Sequence, residues 1–326
     1  MSVSESSQLS LKLQYEFTGL VWSHGLSYIE SKDRVGICLG APHFSVLLVP
    51  PQEGDKVGTI NLKPTWKSHP VGVAYLNSTS SPSYGVVCAR DRSVYIFPEE
   101  PPSYCQTLNA QKALALTAHD IDPTCVASRG DQLVVGIRHQ GGQTGALLII
   151  NDAGNLPPII TTTAAKSSLS PRLGRKHKTA KSPESSSTLV VELNFVPLSL
   201  HYSDNGQQIL VTGAEIVMIY RVDTWTSDAR SRAGPPSGWQ FRDAVFCSID
   251  GEDAVVILGK FADDGAIMRI KIFQDEDATC FRAQSLDTDA HELLRGRPGV
   301  GGLAVRKRDN LFVALEWDDK VKVYQL

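Results

Sequence analysis

The histidines and cysteines of this chain do not have the spacing of a metal site. The eight histidines are all distant from one another in the sequence, and none of the six cysteines belongs to a Cys-x-x-Cys pair. A structural zinc site needs such pairs, and an isolated histidine beside a turn is more often a surface or capping residue. We therefore predict that the chain binds no metal ion.

The glycine-rich segment from Gly296 to Gly302 (GRPGVGG) could cradle a phosphate group. A phosphate site of this kind needs a following helix, whose first N–H groups point at the anion. Here no Gly-Lys-Ser/Thr follows, and the next residues alternate like a strand. We interpret the segment as a loop between strands, and we predict no cofactor.

Nucleophiles and acid–base pairs are also not arranged as in a known catalytic motif. The chain contains no Gly-x-Ser-x-Gly, and its cysteines lie mostly in apolar segments, which raise the pKa of a thiol. The carboxylates at 263–264, 275–277 and 318–319 lie in turns, where Asp commonly caps backbone N–H groups. We predict no catalytic residues and expect that the chain is not an enzyme.

The composition is that of a soluble globular protein. Of its 326 residues 42% are hydrophobic and 21% charged, and the net charge is −3. No apolar run has the roughly 18 residues needed to span a bilayer, and the N-terminus lacks the pattern of a signal peptide. Cys38, Cys88 and Cys247 lie in apolar segments and are expected to be buried, reduced thiols. We expect an intracellular protein without a membrane span.

A basic, serine-rich segment at residues 163–187 interrupts the apolar pattern. Its net charge is +5, which leaves −8 on the remainder of the chain. With two leucines and no aromatic residue it cannot bury enough surface to fold, so we predict a disordered insert. The basic residues that could contact an import receptor, nucleic acid or another acidic partner are Arg172, Arg175, Lys176, Lys178 and Lys181. Ser170 and Ser182 each precede proline and could be phosphorylated, and the alternative is a solvated loop.

The rest of the chain consists of six similar units of short Val- and Ile-rich segments bounded by turn residues. The middles of their buried strands fall at 37, 87, 135, 210, 257 and 313, spaced by about 50 residues except across the insert. This period is typical of small sheets that stack around an axis. The alternating segment from Leu9 to Phe17 could pair with the last strand and close the ring.

The second and sixth of these units share a turn motif. The segments from Arg90 to Phe97 and from Trp317 to Tyr324 place Asp in a turn before a basic and apolar strand, as WD repeats do. In this the two units resemble the WD-repeat family, but they have no Trp-Asp after their third strands, and the chain has no Gly-His at repeat starts. The resemblance implies an all-β, WD40-like β-propeller of six or seven four-stranded blades, closed by the N-terminal strand. Residues 1–326 would then be one domain, with the insert between two blades.

The resemblance also implies a function. WD-repeat propellers bind partner proteins through the loops of their blades, so we expect a non-catalytic scaffold in a multiprotein complex of the nucleus or cytoplasm. Two alternatives are a nucleic-acid-associated protein that binds through the insert and an enzyme with a site in the propeller channel. Trp22, Trp66, Trp225 and Trp239 could anchor partners, or each could fill the space between blades.

Overall fold

The structure is a computed structural model in which twenty ranges of the chain are described. These are residues 12–17, 23–29, 32–39, 45–49, 58–61, 70–77, 82–88, 93–98, 112–115, 121–139, 141–153, 188–227, 231–235, 237–249, 252–261, 264–275, 278–283, 300–306, 311–316 and 320–325. They form six four-stranded antiparallel sheets, which we number 1 to 6 along the chain.

The first strand of the chain, β1 (Lys12–Phe17), belongs to sheet 6. Sheet 1 contains β2 (Ser23–Ile29), β3 (Arg34–Leu39), β4 (Ser45–Val49) and β5 (Gly58–Asn61). Sheet 2 contains β6 (Pro70–Leu76), β7 (Ser83–Cys88), β8 (Ser93–Pro98) and β9 (Lys112–Ala115). Sheet 3 contains β10 (Ile121–Arg129), β11 (Gln132–His139), β12 (Gly145–Ile150) and β13 (Thr188–Leu193).

The remaining sheets follow the same order. Sheet 4 contains β14 (Ser199–Tyr202), β15 (Gln208–Gly213), β16 (Ile216–Arg221) and β17 (Arg232–Ala233). Sheet 5 contains β18 (Trp239–Ile249), β19 (Glu252–Phe261), β20 (Asp264–Asp275) and β21 (Ala278–Ala283). Sheet 6 contains β22 (Val300–Arg306), β23 (Leu311–Glu316) and β24 (Lys320–Gln325), to which β1 is added.

The sheets pack face to face in sequence order, and the last contacts the first. Strand β2 touches both β6 and β22, and each of the sheets between them touches its two neighbours. Because a middle sheet is covered on both faces, its central strand is apolar almost throughout: five consecutive residues of β11, from Leu133 to Ile137, are buried. A ring of antiparallel sheets around an axis is the architecture of a β-propeller.

The ring is completed by pairing between the two ends of the described chain. Strand β1 lies antiparallel to β24, with Lys12 opposite Gln325 and Phe17 opposite Val321. This is the strand pairing that the alternation from Leu9 to Phe17 predicted. It covers the edge of β24, which would otherwise expose unpaired backbone groups.

A β-bulge occurs near the start of the first strand in sheets 1, 2, 3, 5 and 6. The residue after each bulge is small or short: Gly25, Gly72, Cys125, Asp243 and Gly302. At Gly72 the reason is packing, since a Cβ there would lie 2.5 Å from Cγ1 of Val126 in sheet 3. Glycine at this position therefore allows sheets 2 and 3 to approach closely.

Candidate functional site

The first strands of the sheets surround a cavity at the axis of the ring. Its volume is about 370 Å³, and the described residues that line it come from β2, β6, β10, β14, β18 and the turns that follow them. This is near the lower end of the range for small-ligand pockets. We call it the central cavity and treat it as the candidate site.

One end of the central cavity is formed by the turns that follow the first strands, and we call this end the turn face. The amide of Asn77 donates to the carbonyl of Gly130 over 3.0 Å, which joins the turns of sheets 2 and 3. The guanidinium of Arg129 donates to the carbonyl of Asn205 over 2.8 Å and to that of Gly206 over 2.5 Å. The turns of three consecutive sheets are thus held together by hydrogen bonds.

A histidine–carboxylate pair joins the first strands of sheets 4 and 5. Nε2 of His201 lies 3.0 Å from Oδ1 of Asp243. The same carboxylate oxygen accepts a 2.8 Å hydrogen bond from the backbone N–H of Ala244. Asp243 is only 4% exposed, so its charge is stabilised mainly by these fixed donors rather than by water.

Cys125 also lines the central cavity, but it is not set up as a nucleophile. Burial raises its pKa from 9.0 to about 12, and the charge of Asp243 adds to the rise, although the Thr124 hydroxyl opposes it. Thr124 Oγ1 in turn donates to the carbonyl of Pro197 over 2.6 Å, a bond between sheet 3 and the segment before β14. At neutral pH this cysteine is a protonated, buried thiol.

Three further polar atoms lie at the junction of sheets 4 and 5. Ser199 Oγ, Thr212 Oγ1 and Arg242 Nε are each buried and have no hydrogen-bond partner. Ser199 and Arg242 line the central cavity, and Thr212 lies directly opposite Ser199 in the pairing of β14 with β15. Buried polar atoms in native proteins nearly always have a partner, so this cluster is unusual.

The site residues predicted from the sequence lie outside the described residues. These are Ser170, Arg172, Arg175, Lys176, Lys178, Lys181 and Ser182, all in the insert at 163–187. Their roles stay predictions.

Within the described part of the chain, no group of three His, Cys, Asp or Glu side chains could hold a metal ion. That part also contains no helix with the length and hydrophobicity needed to cross a bilayer.

Two of the four candidate tryptophans lie among the described residues. Trp225 lies in a turn with a positive φ of 53° and packs against the core between sheets 3 and 4. Trp239 directly follows a turn as the first residue of β18, and it packs against the core between sheets 4 and 5. Both side chains therefore fill space between sheets, and Trp22 and Trp66 lie outside the described residues.

Sequence reasoning missed the residues that line the central cavity. His201 and Asp243 are 42 positions apart and belong to different units, so no local motif connects them. The signal that could have found them is the alignment of the first strands, in which Asp243 takes the place of the glycine found after the bulge in three other sheets.

Comparison with solved structures identifies the architecture. The chain is similar to the β-propeller domain of Cps50 (Swd1) from Myceliophteria thermophila, with a TM-score of 0.53 and 11% identical residues over 93% of this chain and 82% of that one. The fold is a β-propeller. At this identity the likeness shows the fold alone. No family model matches the sequence, and no curated protein matches it.

Proposed function

We propose that this protein is a non-catalytic scaffold, a six-bladed, WD40-like propeller that holds partner proteins in a multiprotein complex. The blade number is supported by the six four-stranded sheets, each in contact with the next, and by the contact between β2 and β22. The resemblance of two units to WD repeats, together with the propeller fold, supports a role in binding proteins.

The observation that carries the proposal is the use of polar side chains along the axis. Arg129, Thr124 and His201 each direct their hydrogen bonds to a neighbouring sheet or turn. Cys125 is a buried thiol whose pKa is raised to about 12. These groups therefore hold the ring in shape, and none of them is placed as an activated nucleophile or a solvent-exposed base.

The turn face is the surface that we propose for partner binding. Its exposed residues in the described turns are Asn77, Arg129, Gly130, Asp204, Asn205 and Gln207. The hydrogen bonds of Arg129 fix the shape of these turns before a partner arrives, which lowers the entropy lost on binding. Loops on a rigid scaffold are the usual location of binding residues.

The proposed location is the nucleus, the cytoplasm or both, with the basic insert acting as an import signal. Replacement of Arg172, Arg175, Lys176, Lys178 and Lys181 by Ala in a fluorescent fusion should lower the nuclear fraction. Acidic residues at Ser170 and Ser182 should lower it less, because they offset only part of the positive charge. Unchanged distribution in both variants would refute the import role.

The scaffold role is tested by affinity purification of the tagged full chain followed by mass spectrometry. We expect the same set of partner proteins with and without nuclease treatment, and also after deletion of residues 163–187. Substitution of Asn205 and Gln207 by Lys on the turn face should remove specific partners. The control is Arg138→Met, which replaces an exposed residue of β11 and should leave the set of partners unchanged. Loss of all partners after nuclease treatment or insert deletion would favour nucleic-acid binding.

A further inference from the structure

The central cavity is lined by polar side chains of sheets 4 and 5, among them Ser199, His201, Arg242 and Asp243. Ser199 and Thr212 are cross-strand neighbours, so their side chains lie on the same face of sheet 4. His201 is two residues after Ser199 and shares that face. It reaches Asp243 on sheet 5, which is next to Arg242 in the sequence. The pairing therefore places Ser199, Thr212 and His201 on the face of sheet 4 that meets sheet 5, and Arg242 directly precedes Asp243 in the chain and lines the same cavity as Ser199.

This cluster contains most of the buried polar atoms that lack a partner. Five such side-chain atoms occur in the described part of the chain, and three of them are Ser199 Oγ, Thr212 Oγ1 and Arg242 Nε. Ser199 is 8% exposed and Thr212 is fully buried. Leaving a buried donor unsatisfied is costly, and the cost is higher for a charged group. Their concentration at one junction indicates a binding site rather than scattered defects.

The chemistry of the three groups defines the ligand. The Nε–H of Arg242 can only donate, and both hydroxyls can donate. The carboxylate of Asp243 already accepts from His201 and from the N–H of Ala244. An acceptor carrying negative charge would satisfy Arg242 and the hydroxyl of Ser199 with charge-assisted hydrogen bonds. We propose that the central cavity binds a carboxylate group at Arg242 and Ser199, with Thr212 behind them.

A carboxylate fits this site better than a phosphate. The charge of Asp243 is close by and would repel a dianion more strongly than a monoanion. The carboxylate could belong to a small organic acid or to an acidic side chain of a peptide that enters along the axis. The chemistry at Arg242 is the same for both sources. A carboxylate site in the central cavity is independent of the scaffold role, which uses the turn face.

Saturation-transfer NMR with the full-length protein tests the proposal directly, with acetate as the probe. We expect transfer to the acetate methyl group in the parent protein and a signal at least about tenfold weaker in Arg242→Met, because the charge-assisted bond is lost. Arg138→Met, which removes an exposed arginine away from the cavity, should leave the signal unchanged. If acetate binds with a dissociation constant on the order of 10 mM, the Tm of the protein in 100 mM acetate should be about 2 °C higher than its Tm in 100 mM chloride.

Ser199→Ala keeps the test decisive if Arg242→Met fails to fold. The hydroxyl has no partner in the structure, so its removal should not lower Tm in chloride. We expect it to weaken the acetate signal several-fold. A merely structural role of Ser199 would give the opposite result, a lower Tm with unchanged acetate binding.

Two further probes distinguish the source and type of the anion. Methylphosphonate, which is mainly dianionic above neutral pH, should give a weaker signal than acetate. A capped Gly-Asp-Gly peptide that competes with acetate, when Gly-Asn-Gly does not, would assign the site to a peptide carboxylate. Competition by neither peptide would assign it to a small acid. Absence of transfer from acetate, as for a site that holds only water, or stronger transfer to methylphosphonate would overturn the proposal.

Discussion

His201 on β14 and Asp243 on β18 are joined by a 3.0 Å hydrogen bond between Nε2 and Oδ1, so one side-chain pair connects two neighbouring sheets beside the axis. The histidine side chain is 21% exposed and the aspartate side chain 6% exposed, so the bond is largely shielded from solvent. A shielded bond of this kind contributes more than an exposed one, because removal of one partner leaves the other buried and unsatisfied.

Replacement of Asp243 should therefore destabilise the protein. We expect Asp243→Ala to lower the free energy of unfolding by about 1–3 kcal/mol, because His201 and the N–H of Ala244 lose their acceptor. Asp243→Asn keeps a carbonyl acceptor and should lower it less. Urea denaturation measures both values. Asp223→Ala is the control, because the Arg221–Asp223 pair has both side chains 60% exposed, and no measurable change is expected. Equal effects at 223 and 243 would contradict the structural role of the pair.

Gly72→Ala should destabilise the contact between sheets 2 and 3. The added methyl group would lie 2.5 Å from Cγ1 of Val126, and both strands are fixed in the ring. We expect a loss of about 1–3 kcal/mol from overpacking. The matched control is Gly58→Ala on β5, where the nearest atom would be Cβ of Leu48 at 3.4 Å. Val126→Ala combined with Gly72→Ala should recover part of the loss, and additive losses in this double variant would contradict the proposed overlap.

Because the thiols are buried, the stability of the folded protein should depend on pH in the alkaline range. Burial raises the pKa of Cys38 and of Cys125 from 9.0 to about 12 in the folded protein. Above pH 9 the unfolded chain therefore loses protons that the folded chain keeps. The contribution of these thiols to stability should be constant below about pH 8 and fall between 9 and 12, by up to about 1.4 kcal/mol per pH unit for each thiol. Urea midpoints of Cys38→Ala and Cys125→Ala should fall less steeply with pH than that of the parent.

The same burial predicts low thiol reactivity in the native state. At pH 8 we expect iodoacetamide to modify Cys38 and Cys125 at least about 100-fold more slowly in the folded protein than in urea, because little thiolate forms and access is blocked. Peptide mass spectrometry measures the rate at each position. Rapid native labelling of Cys125 would mean that the central cavity opens and that this thiol is accessible from it.

Arg129 should stabilise the turn between β14 and β15. Its guanidinium donates to the carbonyls of Asn205 and Gly206, and Gly206 has a positive φ of 62°. We expect Arg129→Met to increase amide hydrogen exchange in residues 203–208 by about tenfold, because the turn opens locally more often. Arg129→Lys should be intermediate, since one ammonium group cannot reproduce both bonds equally. Unchanged exchange in both variants would show that the turn holds its own shape.

The sequence predicted the central strands of the sheets well because both of their faces are buried. All six predicted strand middles, at 37, 87, 135, 210, 257 and 313, lie within the second strands of the sheets, β3, β7, β11, β15, β19 and β23. The fourth strands were not located, because an outer strand is less buried and its exposure does not follow the hydrophobicity of its residues. Strand β13 is an example: Leu189 and Val190 are 46% and 49% exposed.

The candidate site was much harder to predict than the strands. A β-bulge adds one residue to a strand and depends on the neighbouring strand, so its position does not appear in hydrophobic periodicity. The contact between His201 and Asp243 depends on the stacking of two sheets. The buried thiols were accessible to sequence reasoning because they require only an apolar segment: burial is confirmed for Cys38 and Cys247, and the side chain of Cys88 lies outside the described residues.

The pairing of β1 with β24 has a consequence for biosynthesis. Strand β1 is translated before every other described strand and cannot pair with its neighbour until β24, the last of them, has been made. The first five sheets can each assemble from consecutive residues as they emerge, whereas the sixth requires a contact across more than 300 positions. Closure of the ring is therefore expected only after β24 has been translated, and until then an open stack of sheets would be a natural client for chaperones.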